Sequence, residues 1–205
     1  MKKKSEWFLL IGLIVLVIVP TLAGIVRIFN LGSAEAFQPE NIRFTKSPIS
    51  ITLHVVSSIL FSILGIFQII PSFRIPNLKW HRRIGRVLLP IGFISSLTGL
   101  YMTQFYPKVE TDGPTLYFIR LLVGFVMTLF LILAVYTVLN KKFRDHGNWM
   151  IRAYALGLGA STQVITHLPW LITTGQLPTG LTRDMAMGAG WLINLAIVEW
   201  RIRKT

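Results

Sequence analysis

The chain contains no cysteine. That absence removes disulfides, thiolate zinc sites, iron–sulfur clusters, covalently attached c-type haem and thiolate-ligated haem together. Acidic side chains are scarce as well: eight Asp and Glu stand against 21 Lys and Arg in 205 residues, a formal net charge of +13. Charged residues make up only 14% of the chain and hydrophobic ones 53%, with a mean hydropathy of +0.61, a balance that argues against a water-soluble globule. There is no Gly-rich phosphate loop ending in lysine and no His-Glu-x-x-His pair. Internal repeats and low-complexity segments are also missing. Ser161 and Thr162 precede His167, but no acid accompanies them, so a hydrolase lacks its parts. With four histidines in all, imidazole is the side chain left to carry metal or haem chemistry.

What the chain does have is long apolar runs. A bilayer-crossing helix needs about 20 residues, and five runs have that length, about 7–29, 49–70, 87–106, 115–139 and 149–172, with a sixth and shortest run at 185–200. Turn residues separate them: Pro71, Pro76 and Asn77; Pro107, Gly113 and Pro114; Gly175, Pro178 and Gly180. Pro20, Pro90 and Pro169 lie inside apolar runs, where neighbouring helices re-satisfy the freed carbonyls. The expected fold is therefore all-α: one polytopic membrane domain over residues 1–205, a bundle of six transmembrane helices.

The charges assign it an orientation. With the N-terminus inside, the inner segments hold Lys2–Lys4, Arg74, Lys79, Arg82, Arg83, Arg86, Lys141, Lys142, Arg144, Arg152, Arg201, Arg203 and Lys204. Only Glu6, Asp145 and Glu199 oppose them. The other side holds Arg27, Arg43, Lys46, Lys108, Arg120 and Arg183 against Glu35, Glu40, Glu110, Asp112 and Asp184. Fifteen to three against six to five is the positive-inside asymmetry, and it predicts both termini in the cytoplasm. The net charge then speaks for anionic lipid headgroups as partners, not nucleic acid. Lysines, an apolar stretch and Ala34-Glu35-Ala36 also have the layout of a cleaved signal. The run exceeds the usual core of about 7–15 residues and Arg27 interrupts it, so it reads as a retained span.

Threaded on these spans, the histidines sort by depth. His54 and His167 each lie five residues from an outer span end, roughly 8 Å deep. His81 and His146 precede spans three and five, at the inner headgroup level. Facing histidines in a helical bundle clamp haem iron, and neutral imidazole is tolerated in hydrocarbon where a carboxylate is not. The expectation is haem b with His54 and His167 as axial ligands to the iron. Ser57, Ser58, Ser95, Ser96 and Gly99 would let a flat macrocycle approach, and Arg120 would pair with a propionate. A polar residue in a membrane helix also serves simply to bond a neighbouring helix, for about 0.6 kcal/mol, and Arg120 would equally snorkel outward. His146 and His167 are 21 residues apart, about 31 Å of helix, which favours one outer haem over two stacked ones. The Gly157–Ser161 run reads as a close-packing site between helices.

Four segments look familiar: Leu53-His54-Val55-Val56, Gly65-Ile66-Phe67-Gln68, His81-Arg82-Arg83-Ile84-Gly85-Arg86, and His146-Gly147-Asn148-Trp149-Met150-Ile151-Arg152-Ala153-Tyr154-Ala155-Leu156. On these, residues from 53 to about 166 resemble a family of bacterial integral membrane proteins known as domain of unknown function 2306. The resemblance implies a multi-pass protein of the bacterial cytoplasmic membrane with no settled activity. Its layout is similar to membrane cytochromes b, a likeness of fold alone. His54, His81 and His146 fall on the family's motifs; His167 falls where members often carry an arginine. Arg82, Arg86 and Arg152 accompany His81 and His146 as an inner cluster for a second haem, a quinone or a phosphate headgroup.

Three functional readings follow. The first is a haem-b electron-transfer protein, quinone-linked, hence a membrane oxidoreductase. The second is a non-enzymatic membrane protein: an accessory, stress-related or lipid-interacting subunit, or a small transporter. The third is an acid–base enzyme using the inner histidines.

Overall fold

A computed structural model of the chain describes residues 2–38, 41–45 and 47–204. Glu40 and Lys46 of the charge count above lie outside the described residues, as do the side chains of Lys2–Lys4 and Glu35. Among the described residues the regular structure is helical, with one isolated β-bridge between Asp112 and Gly180. The helices are α1 (Lys2–Leu31), α2 (Pro48–Ile69), α3 (Pro71–Arg74), α4 (Leu78–Phe105), α5 (Leu116–Leu139), α6 (Phe143–Gly157), α7 (Gly159–Thr174) and α8 (Gly180–Arg203). Four of them, α1 from Glu6 onward, α2, α4 and α5, are long and apolar enough to cross a membrane. Two compact units divide the chain, Met1–Ser95 and Ser96–Thr205, with the boundary inside α4.

In the first unit, local chemistry sets the helix ends. Pro48 opens α2 at a position whose N–H needs no partner. Pro71 forces Ile70 into an extended conformation (φ −76°, ψ 119°), which ends α2 and starts α3. Glu6 of α1 accepts hydrogen bonds from the Ser72 N–H (3.2 Å) and hydroxyl. Gly24 lets α1 lie against α2: a Cβ there would stand 2.8 Å from Val55 Cγ1. Between α1 and α2, Arg27 and Arg43 place their guanidinium groups over the buried Phe44 ring at 5.0 and 4.4 Å. Much of the rest of α1 is apolar and uncovered, including Val15, Leu22 and Phe29. That surface suits lipid, where helix association rests on close packing and not on hiding hydrocarbon from water.

The second unit pairs α5 with α6 and α7 with α8, and α6 also packs on α8. Here the expectation of one helix over 149–172 is corrected. The segment is two helices, α6 and α7, interrupted at Leu158 (φ −79°, ψ 3°). The interruption coincides with Trp191 of α8, whose indole lies so close that a Cβ on Gly159 would stand 1.9 Å from Nε1. The Ala155 carbonyl, in the last turn of α6, accepts the Asn194 amide at 2.9 Å. Asn194 Oδ1 in turn accepts from the Thr162 hydroxyl at 2.7 Å. Further along, Gln163 and Thr166 donate to the Met187 and Ala186 carbonyls at 3.2 and 2.7 Å. A polar ladder therefore joins α7 to α8 inside an otherwise apolar pair.

Two other boundaries differ from expectation. The helix of the third expected span, α4, begins at Leu78, nine residues before the apolar run, so His81 and its arginines ride on its first turns. His146 likewise sits in the first turn of α6. Basic residues are no obstacle to helix formation; hydropathy marks only where the helix meets hydrocarbon.

Candidate functional site

His54, Ser58, Phe61, Gly65 and Gln68 recur on α2 at helical spacing and form one face. That face meets the first part of α4. The His54 Nδ1 lies 2.9 Å from the Ser95 carbonyl oxygen, and the Ser58 and Ser95 hydroxyls are 2.7 Å apart. At the other end, Gln68 lies against Gly85. The pairing of 54 with 95 and of 68 with 85 makes the two segments antiparallel. A carbonyl oxygen can only accept, so the Nδ1 of the half-buried His54 carries the proton and Nε2 carries the lone pair. Gln68 is buried, and its Nε2 has no hydrogen-bond partner among the described residues.

The same arrangement recurs in the second unit. His146 Nδ1 lies 2.9 Å from the Ala134 carbonyl of α5, and His167 Nδ1 lies 2.6 Å from the Gln163 carbonyl one turn back in α7. Three of the four imidazoles are thus held as the Nδ1–H tautomer by a backbone carbonyl. That is the outer hydrogen bond which orients a ligating histidine and fixes Nε2 as its donor atom. No group of three or more histidine or carboxylate side chains converges on a common point among the described residues.

The arginines are placed less as expected. Arg120 donates to Asp112 at 2.6 Å and lies 3.9 Å from Met187 Sδ. Arg183 takes the other oxygen of Asp112 at 2.8 Å. Arg152 makes a two-pronged pair with Glu199 of α8, Nε to Oε1 at 2.5 Å and Nη2 to Oε2 at 2.9 Å, and covers the Trp149 ring at 4.6 Å. All three guanidinium groups pair with carboxylates of their own unit. Arg82 and Arg86 are exposed on α4 and join none of the ion pairs among the described residues.

Sequence reasoning counted Asp112 and Asp184 only as charges. Asp184, with 0% exposure, accepts from the Gly113, Thr115 and Leu116 N–H groups at 2.8, 2.9 and 3.0 Å and from the Thr115 hydroxyl at 2.8 Å. These are the unpaired donors at the start of α5, so a carboxylate from α8 caps α5. Burial pushes the Asp184 carboxyl up, but the Thr115 hydroxyl and the three N–H groups outweigh it and hold it below its ordinary value. The local signal was Asp112-Gly113-Pro114-Thr115, a turn with an unusual share of residues that leave backbone groups to satisfy.

A family model described as "Predicted membrane protein (DUF2306)" matches residues 51–202. The chain belongs to this family. The matched region extends beyond the expected core of 53–166 at its C-terminal end, so it includes α7, α8 and His167 along with His54, His81, Arg82, Arg86, Arg120, His146 and Arg152. With its apolar helices, this DUF2306 protein is a multi-pass membrane protein. No curated protein and no solved structure matches the chain.

Proposed function

We propose that this protein binds haem b and passes electrons within the bacterial cytoplasmic membrane. The observation that carries the reading is the tautomer of the histidines: His54, His146 and His167 each give Nδ1 to a backbone carbonyl. A neutral imidazole so oriented fits an axial position on haem iron, and an Nδ1–H bond of this kind raises the basicity of Nε2. His54 and His167 are the axial candidates of the two units, each lying in an apolar helix. Small side chains near His54, among them Ser57, Ser58 and Ser95, keep bulk away from the ring. Arg120, already oriented by Asp112, retains further N–H groups for a propionate. Bound haem would supply a one-electron couple. The chain's own residues would set its ligand field, exclude water and balance the charge of the propionates. His81, His146, Arg82, Arg86 and Arg152 are the inner candidates, for a second haem, a quinone or a lipid headgroup.

The test is a dithionite-reduced minus oxidised absorbance spectrum of the detergent-purified protein. A sharp α-band that disappears in His54→Ala or His167→Ala is the expected result. Absence of any Soret band in the wild type, even after expression with added haem precursor, overturns the proposal.

A small transporter is favoured by one different observation. The helix interruption at Leu158 brings buried Ser161, Thr162 and Gln163 to the start of α7. Interrupted helices with polar side chains at depth are the usual sites of substrate binding in secondary transporters. A spectrum without haem, together with solute flux into proteoliposomes that Thr162→Val abolishes, would establish that reading in place of the first.

A further inference from the structure

The turn from α3 into α4 forms an open groove of about 520 Å³. Its walls are of two kinds. Ile75, Leu78 and the Trp80 ring supply apolar surface, and Lys79, Arg82 and Arg83 supply charge. All six are exposed, Ile75 at 64% and Leu78 at 55%, values that are costly in water for aliphatic side chains.

Few carboxylates are at hand to balance the charge. From residue 41 to residue 109 there is no Asp or Glu at all. None of the three cations joins an ion pair among the described residues. Positions 79, 82 and 83 are three and four apart on one helix, so their side chains share a face and repel one another. They also occupy the first turns of α4, the end of a helix where positive charge is least favoured. Each of these costs is relieved by an anion in the groove.

The apolar wall says which kind of anion. Trp80 packs edge-on to Phe67 at 6.5 Å, and Phe67 packs on Phe73 at 5.4 Å, so an aromatic cluster lies where hydrocarbon meets headgroups. A soluble phosphate would neutralise the cations and leave Ile75 and Leu78 in water. A phospholipid satisfies both walls, its phosphate on the cations and its glycerol and upper acyl carbons on the apolar side.

We infer that the groove formed by Ile75, Leu78, Lys79, Trp80, Arg82 and Arg83 is a binding site for an anionic phospholipid of the cytoplasmic leaflet. The site is independent of whether the protein carries haem.

The experiment uses the full chain in neutral detergent, titrated with phosphatidylglycerol, with phosphatidylcholine, or with inorganic phosphate. Bound lipid is counted by native mass spectrometry and the unfolding temperature is followed in parallel. Phosphatidylglycerol is expected to remain bound and raise the unfolding temperature; phosphatidylcholine and inorganic phosphate are expected to do neither. Arg83→Gln should weaken phosphatidylglycerol binding about fivefold, the effect of one cation near an anionic headgroup. The combined Lys79→Gln, Arg82→Gln, Arg83→Gln variant should lose it. A control with Lys141→Gln, Lys142→Gln and Arg144→Gln removes the same charge elsewhere and should bind as wild type. Equal loss in the control, or equal binding of phosphatidylcholine, overturns the site. Stabilisation by inorganic phosphate matching that by phosphatidylglycerol overturns the choice of lipid. Should the triple variant not fold, the single Arg83→Gln against a single Arg144→Gln decides the matter.

Discussion

A carboxylate shut away from solvent needs donors converging on it, and Asp184 has four hydrogen bonds from the Gly113–Leu116 segment. Asp184→Asn keeps the shape, loses the charge, and turns an N–H donor toward other donors. The expected cost is about 1.5–3 kcal/mol, read from thermal unfolding of the two proteins in the same detergent. The pH dependence has a definite sign. Because the folded Asp184 carboxyl titrates below its ordinary value, its contribution is fully present above the ordinary carboxylate pKa of about 3.9. It is lost as pH falls through the lowered folded value. The gap between wild type and Asp184→Asn should therefore stay constant through neutral pH and close only in acid. A gap that closes between neutrality and mild acid would show that Asp184 is not the group responsible.

At the scale of elements, two of the contacts that hold α6 and α7 onto α8 lend themselves to mutation. Gly159 has no room for a methyl group against Trp191. Gly159→Ala should destabilise by about 1–3 kcal/mol, the usual cost of overpacking. Trp191→Leu in the same chain should recover part of the loss, a coupling that a double-mutant cycle measures. Arg152 and Glu199 form the second contact, with side chains 17% and 36% exposed. Partial exposure screens the pair, so Arg152→Ala should cost only about 1 kcal/mol. The swapped variant Arg152→Glu with Glu199→Arg should regain most of it, and a swap no better than the single change would show that the pair contributes packing alone.

Element boundaries also show where sequence reading reached and where it stopped. The helix over 116–139 was legible to within a residue, because an unbroken apolar run has no competing structure in hydrocarbon. The start of α4 was not, since hydropathy falls at Trp80–Arg86 while the backbone stays helical. The Gly157–Ser161 run reads as a close-packing site between helices, with no sign of a break in its own helix. Gly159 does serve packing, but its partner is an indole from α8, 32 residues away in sequence, and no pattern within the run specifies it.

For the whole molecule, the prediction that follows from charge is topology. A chain without cysteine needs no residues removed before single cysteines are introduced for labelling. Lys142→Cys and Lys204→Cys should be protected from a membrane-impermeant maleimide in intact cells, and Lys108→Cys and Gln176→Cys should react. Labelling of Lys142→Cys in intact cells would reverse the proposed orientation.

The candidate site divides in the same way. Composition and spacing singled out the four histidines, because with no cysteine there was no other side chain of comparable metal chemistry. Sequence also named the family motifs and the basic turn at 79–86. It named Arg120 and Arg152 as ligand partners, and only the structure shows that they pair with Asp112 and Glu199.

Apolar runs, prolines and the sided distribution of lysine and arginine are properties of the chain itself. The solvent reads them before any helix meets another, so the sequence alone determined that this is an all-helical membrane protein and where its long apolar segments lie. Only the tertiary structure decided where one helix breaks, which carbonyl takes each imidazole proton and which acid each arginine holds. Those choices depend on groups brought within about 3 Å by packing, and separation along the chain carries no record of that distance.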